Sequence, residues 1–148
     1  MTERKSLVVG LTGQTGAGKT TVSEACEKHG YAVINADQLA RTVTSEPEVL
    51  LRLSELFGEE ILLPDGSLDR KALGARVFSD PAELQKLDGT LYPIIVSRIE
   101  GEIQKLTESG RRYILLDAPT LFESGADKLC DKTVAVLAEE DLRRERII

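Results

Sequence analysis

The sequence predicts an α/β fold in three layers, a parallel sheet between helices, with one helical insertion. Three observations predict it. Short apolar runs, partly β-branched, recur at 7–11, 31–34, 113–117 and 133–137, the pattern of strands, the first of them reading as buried on both faces. Segments with apolar residues at helical spacing separate them, so strands following such crossovers pair in parallel. Between the second and third runs lies material for several helices, where a plain crossover needs only one.

The chain has 148 residues, the size of one domain with room for a small insertion. Its 41% hydrophobic and 30% charged residues are ordinary for a globular protein. A net charge of −6 argues against nucleic acid as a partner, so a polyanionic ligand must be held by local basic groups. Cys26 and Cys130 form no C-x-x-C pair, and Cys26 lies on an apolar stripe as a core thiol. His29 is the only histidine, which leaves a hydrolase triad or a zinc site short of partners. No signal peptide and no apolar run near a membrane span is legible, so the expected location is the cytoplasm.

The first run, Leu7-Val8-Val9-Gly10-Leu11, leads into Gly13-Gln14-Thr15-Gly16-Ala17-Gly18-Lys19-Thr20, followed by Thr21. This fits G-x-x-x-x-G-K-[ST], the P-loop. Val22, Ala25, Cys26 and His29 then recur at helical spacing, and Gly30 ends that helix. Strand before and helix after are the context the motif requires. Gly16 and Gly18 can adopt backbone angles that turn successive N–H groups toward an anion, and the helix start adds donors and a positive dipole end. Lys19 can reach the β- and γ-phosphates, and the Thr20 hydroxyl can ligate Mg²⁺. The fold is therefore expected to be of the P-loop NTPase type.

The second run, Tyr31-Ala32-Val33-Ile34, passes through Asn35-Ala36 to Asp37, just beyond the strand's carboxyl end, the edge where ligands bind in open α/β sheets. Asp37 serves either as cap of the helix beginning at Gln38 or as a catalytic acid or base, and one residue can do both. Val49, Leu50, Leu53, Leu56 and Phe57 form the stripe of the next helix, opened by Pro47 and stopped by Gly58. Pro64-Asp65-Gly66 marks a turn, Asp69 starts a helix with Leu73 and Val77 inward, and Asp80-Pro81 opens another with Leu84 and Leu87. A separate, longer helix follows with Ile95, Ile99, Ile103 and Leu106 on one side and Arg98, Glu102 and Lys105 on a solvated face, ending at Ser109-Gly110. This excess of helix is either a substrate-binding insertion over the sheet's carboxyl edge or a passive cap.

The third run, Tyr113-Ile114-Leu115-Leu116-Asp117, has the form of a Walker-B strand whose carboxylate lies near a metal, or of a strand whose final Asp serves the next turn. The fourth leads to a charged helix with Arg143, Arg144 and Arg146, either an exposed face or part of a lid over the transferring phosphoryl group. The chain stops there in mid-helix, and the C-terminus reads as truncated. The expected organisation is a nucleotide-binding core over 1–36 and 111–138, a helical insertion over 37–110, and the start of a lid helix over 139–148. The sequence argues against a GTPase, since Asp117-Ala118-Pro119-Thr120 lacks the glycine of D-x-x-G and no N-K-x-D occurs, and against a motor or transporter ATPase, which is normally larger. What remains is a small-molecule or nucleoside monophosphate kinase, or a non-catalytic nucleotide-binding module.

The ordered residues also resemble the dephospho-coenzyme A kinase family over essentially the whole chain. Gly10-Leu11-Thr12-Gly13 with the P-loop, Ile34-Asn35-Ala36-Asp37, Ala40-Arg41, Phe57-Gly58, Asp65-Gly66, Leu68-Asp69-Arg70, Leu73, Val77-Phe78, Asp117-Ala118-Pro119 and Leu121-Phe122-Glu123 carry it. The resemblance implies transfer of the γ-phosphoryl group of ATP to the ribose 3′-hydroxyl of dephospho-CoA, the last step of coenzyme A synthesis. It implies Asp37 as catalytic aspartate, with Lys19 and the first lid arginine Arg146 beside it. Gly13, Gly16, Ala17, Gly18, Lys19, Thr20 and Thr21 would hold ATP, Thr20 and Asp117 the Mg²⁺, and Arg41 and Arg70 the acceptor's phosphates. Asn35, Gln14, Tyr92 and Thr120 depart from the family pattern, where an aspartate, a glycine, a histidine and a leucine are usual.

Overall fold

The computed structural model describes residues 6–13 and 18–136. Among the described residues four strands form one parallel sheet: β1 (Leu7–Gly13), β2 (Ala32–Asn35), β3 (Tyr113–Asp117) and β4 (Lys132–Val136). Their spatial order is β2-β3-β1-β4. The strand last reached through the helical excursion thus inserts between the first two. Burial alternates along β1 and β2, covers both faces of β3 from Ile114 to Asp117, and is lost in β4, so the burial on both faces expected of the first strand is found in β3 instead. The expected fold class therefore holds. Residue 137, the expected end of β4, lies outside the described residues.

Among the described residues there are five α-helices: α1 (Lys19–Lys28), α2 (Ala36–Val43), α3 (Pro47–Phe57), α4 (Arg70–Phe78) and α5 (Pro81–Glu108). The chain forms two compact units, 1–37 with 96–148, and 38–95. In the first, α1 buries none of its residues fully, and Cys26 is half-buried instead of a core thiol. His29 caps α1, and Gly30 follows at φ 96°.

The second unit has its own core of Val43, Val49, Leu53, Phe57, Ile61, Leu73 and Val77. Val49, Leu53 and Phe57 recur every four residues, so a single face of α3 supplies three of these. Each such large side chain contributes about 1.5–3 kcal/mol on burial. Pro47 opens α3 where no N–H is needed, and Gly58 at φ 94° ends it. Asp69 caps α4 by accepting from the Ala72 N–H at 3.1 Å. The turn at Pro64-Asp65-Gly66 closes a bridge between Leu62 and Leu68.

Two further sequence expectations are corrected. The two helices expected between Asp80 and Ser109 are one, α5, running 28 residues through Pro93. An internal proline costs about 3 kcal/mol or more. The apolar stripe nevertheless continues in phase across it. Leu87, Leu91, Ile94 and Ile95 pack on the second unit's core, and Ile99 is buried beyond. That burial outweighs the lost hydrogen bond. The helix expected from Gln38 begins instead at Ala36, so Asp37 stands inside the first turn of α2 and is not its cap.

Candidate active site

The register of the sheet assembles the site. Asp117 ends β3 level with Leu11 of β1 on one side and Asn35 of β2 on the other. The carboxyl ends of three strands therefore meet at one edge, and Asp37 follows two residues after the end of β2. Ala118 N–H donates to the Leu11 carbonyl at 2.9 Å, and the Thr12 hydroxyl donates to the Pro119 carbonyl at 3.1 Å. These bonds tie the segment after β3 to the strand that enters the P-loop. Sequence reasoning missed Thr12, because a threonine in a strand gives no signal of its own.

Gly13 ends β1 at φ +144°, and an added Cβ would stand 2.4 Å from the Val136 carbonyl oxygen. Only glycine allows β1 and β4 to approach this closely there. Gly18 precedes α1 at φ +98°, a left-handed conformation, and its carbonyl accepts from the Val22 N–H at 3.2 Å. A strand end and a helix start thus flank the phosphate loop, as its motif requires. Gly16 and Ala17 lie outside the described residues.

Lys19 is the first residue of α1, and its ammonium pairs with the Asp117 carboxylate through Oδ1. Both side chains are only 12% exposed, so the pair sits largely out of water at the carboxyl edge of the sheet. In such surroundings a charge left without its partner is costly. Sequence reasoning assigned Lys19 to phosphate and Asp117 to metal, and did not foresee their contact. Thr20 and Thr21 are exposed in the first turn of α1. Asp37 is exposed in the first turn of α2, where the helix dipole favours a carboxylate.

Of the remaining expected site residues, Arg41 lies in the last turn of α2 and Arg70 begins α4, both in the second unit. Arg70 donates from Nη2 to the Thr44 hydroxyl at 3.0 Å. Arg146 lies outside the described residues. Among the described residues no group of three or more His, Cys, Asp or Glu side chains could hold a metal ion, and no helix is long and apolar enough to cross a membrane. The oxygen donors Thr20 and Asp117 match what Mg²⁺ takes from proteins, one or two ligands with the rest from phosphates and water.

Comparison with known proteins adds the family. The family model described as dephospho-CoA kinase matches residues 7–148. A dephospho-CoA kinase of Anaeromyxobacter dehalogenans is 40% identical over 143 residues, covering 95% of this chain and 67% of that protein. One of Deinococcus radiodurans is 41% identical over 140 residues, with the same coverage of 95% and 67%. Among solved structures, a Thermus thermophilus protein superposes with a TM-score of 0.77 at 32% identity, over 97% of this chain and 71% of that one. The dephospho-CoA kinase of Campylobacter jejuni gives 0.72 at 27% identity, over 86% and 64%.

Proposed function

This chain belongs to the dephospho-CoA kinase family, and from that membership we propose that it transfers the γ-phosphoryl group of ATP to the ribose 3′-hydroxyl of dephospho-CoA, yielding coenzyme A and ADP. The observation that carries the reading is the meeting of Lys19 and Asp117 at the carboxyl edge of the sheet, with Asp37 just past the neighbouring strand end. A nucleotide-binding module would have use for the first two and none for Asp37.

Gly13, Gly16, Ala17, Gly18, Lys19, Thr20 and Thr21 hold the phosphate chain of ATP, through backbone N–H groups, the Lys19 ammonium and hydroxyls. Thr20 and Asp117 would hold Mg²⁺, which would supply charge neutralisation at the phosphates. Phosphoryl transfer asks chiefly for position and charge neutralisation. Asp37 orients the 3′-hydroxyl and accepts its proton as the oxygen forms its bond to the γ-phosphorus. The bond between that phosphorus and the β–γ bridging oxygen breaks, and ADP leaves. Lys19 and Arg146 offset the charge that develops on the transferred group. Arg41 and Arg70 bind the acceptor's phosphates. The place of action is the cytoplasm.

The test is ADP release from Mg²⁺-ATP with dephospho-CoA, against adenosine, shikimate and gluconate as rival acceptors. Release with dephospho-CoA alone is the expected result. Release with a rival acceptor, or ATP binding without release by any of them, overturns the assignment.

A further inference from the structure

Two arginines of the second unit are held in different ways. Arg76 is satisfied internally: its Nη1 donates to the Phe57 carbonyl at 2.5 Å and its Nη2 lies 3.7 Å from a Glu83 carboxylate oxygen. Its charge is largely compensated within the fold. Arg70 is held by a neutral group, the Thr44 hydroxyl at 3.0 Å, and no carboxylate among the described residues pairs with it. A neutral anchor fixes the guanidinium without cancelling its charge, which leaves the fork available to an external anion.

The anchor is itself rigid. Thr44 is 5% exposed, and its hydroxyl lies 3.1 Å from the Ala40 carbonyl and 3.2 Å from that of Arg41. The Oγ1 proton is committed to the last turn of α2, so the oxygen can only accept from Arg70. At the other end, Arg70 is the first residue of α4, and Asp69 before it both caps that helix and donates its N–H to the Ile61 carbonyl at 2.7 Å. The arginine is thus fixed at backbone and head alike.

Arg70 also stands between two cavities of this unit. One, of about 390 Å³, has a mixed lining, with Leu50 and Leu68 beside Ser45, Asp65, Ser67 and Arg70. The other, of about 210 Å³, is apolar and lined by Leu68, Leu73, Val77, Leu87 and Leu91, with Thr44 and again Arg70. The Asp65 carboxylate lines the larger cavity, and hydrogen bonds from the Ser67 side chain and backbone keep it ionised below the usual carboxylate range. It repels an anion, so the attraction for one must come from Arg70. A ligand suited to this arrangement carries an anionic group next to an uncharged arm with apolar stretches.

Dephospho-CoA is such a molecule, a diphosphate joined to an uncharged thiol-ended arm. Resting on the kinase reading above, we propose that Thr44 is a positioning residue that fixes Arg70 as the anchor for the acceptor's diphosphate, with the acceptor's uncharged arm in the apolar cleft beside it. Thr44→Val keeps the shape and removes the hydroxyl. Dephospho-CoA affinity, read by calorimetric titration, falls about tenfold, as expected for a hydrogen bond to a charged group. ATP affinity is unchanged. Thr44→Ser restores the bond and the affinity. In an Arg70→Met background Thr44→Val has no further effect on dephospho-CoA, which separates positioning from general destabilisation. Wild-type affinity in Thr44→Val, or a full loss on adding it to Arg70→Met, overturns the proposal while leaving the kinase reading intact. If the wild-type chain binds ATP and not dephospho-CoA, the kinase reading falls and takes this anchor with it.

Discussion

Gly10→Ala tests how closely the segment after β3 is packed on the strand that carries the phosphate loop. Gly10 lies in the central strand β1, level with Leu116 of β3 and Thr133 of β4. A Cβ there would stand 2.7 Å from the Cys130 sulfur, 2.8 Å from Leu121 Cδ2 and 3.2 Å from Leu121 Cδ1. Carbon contacts are comfortable at about 3.5–4.0 Å, so the Leu121 side chain or β1 must move by roughly 1 Å. Leu121 is fully buried and has little freedom to yield. Overpacking of this kind costs about 1–3 kcal/mol. Replacing glycine by alanine returns about 0.4–1 kcal/mol by restricting the unfolded chain, since Gly10 is not among the positive-φ glycines. The net expectation is a loss of roughly 1–2 kcal/mol. Urea unfolding reads it as a lower midpoint at unchanged slope. In a Cys130→Ala background the cost shrinks, because one of the two obstructing groups is gone. A Gly10→Ala chain as stable as wild type, or strict additivity with Cys130→Ala, would refute the packing argument.

Other outcomes follow from the site. Lys19→Ala removes the ammonium from the phosphate site, and equilibrium binding of ATP is lost; near-normal affinity would sink the phosphate-loop assignment. Asp37→Asn keeps nucleotide affinity and lowers turnover by about 10²–10⁴, the usual range for a positioned proton acceptor, whereas unchanged turnover removes Asp37 from the mechanism. For Cys130, burial first, then the charges of Asp127 and Asp131, push the thiol up to about 11. The folded chain therefore holds this proton after an unfolded one has released it near pH 8.5. Its stabilising effect is present below that pH and is lost as pH rises toward 11. In a Cys26→Ser chain, alkylation of Cys130 is slow at neutral pH and accelerates only toward pH 11; an inflection near 8.5 contradicts the burial argument.

Much of the site was legible because its signals are local. The glycines of the P-loop, the apolar run before it and the helix after it are neighbours in sequence, and each answers to backbone geometry within a few residues. Asp117 at the end of an apolar run, and Asp37 shortly after another, mark strand ends by the same logic. Local reading misled between Leu87 and Ile95, where two helices were expected and the single helix α5 runs through. It also misled at Cys26, whose place on an apolar stripe does not fix how deeply α1 is covered.

By itself, then, the chain's sequence determined the α/β class, the phosphate loop and the strand-end carboxylates, since hydrophobic period and glycine placement act over short spans. Only the tertiary structure decided that β3 enters between β1 and β2, that Lys19 meets Asp117 across 98 positions, and that Thr44 holds Arg70 across 26. Those contacts depend on which register and which side-chain neighbours minimise buried, unpaired polarity over the whole fold. No window of a few residues contains that sum.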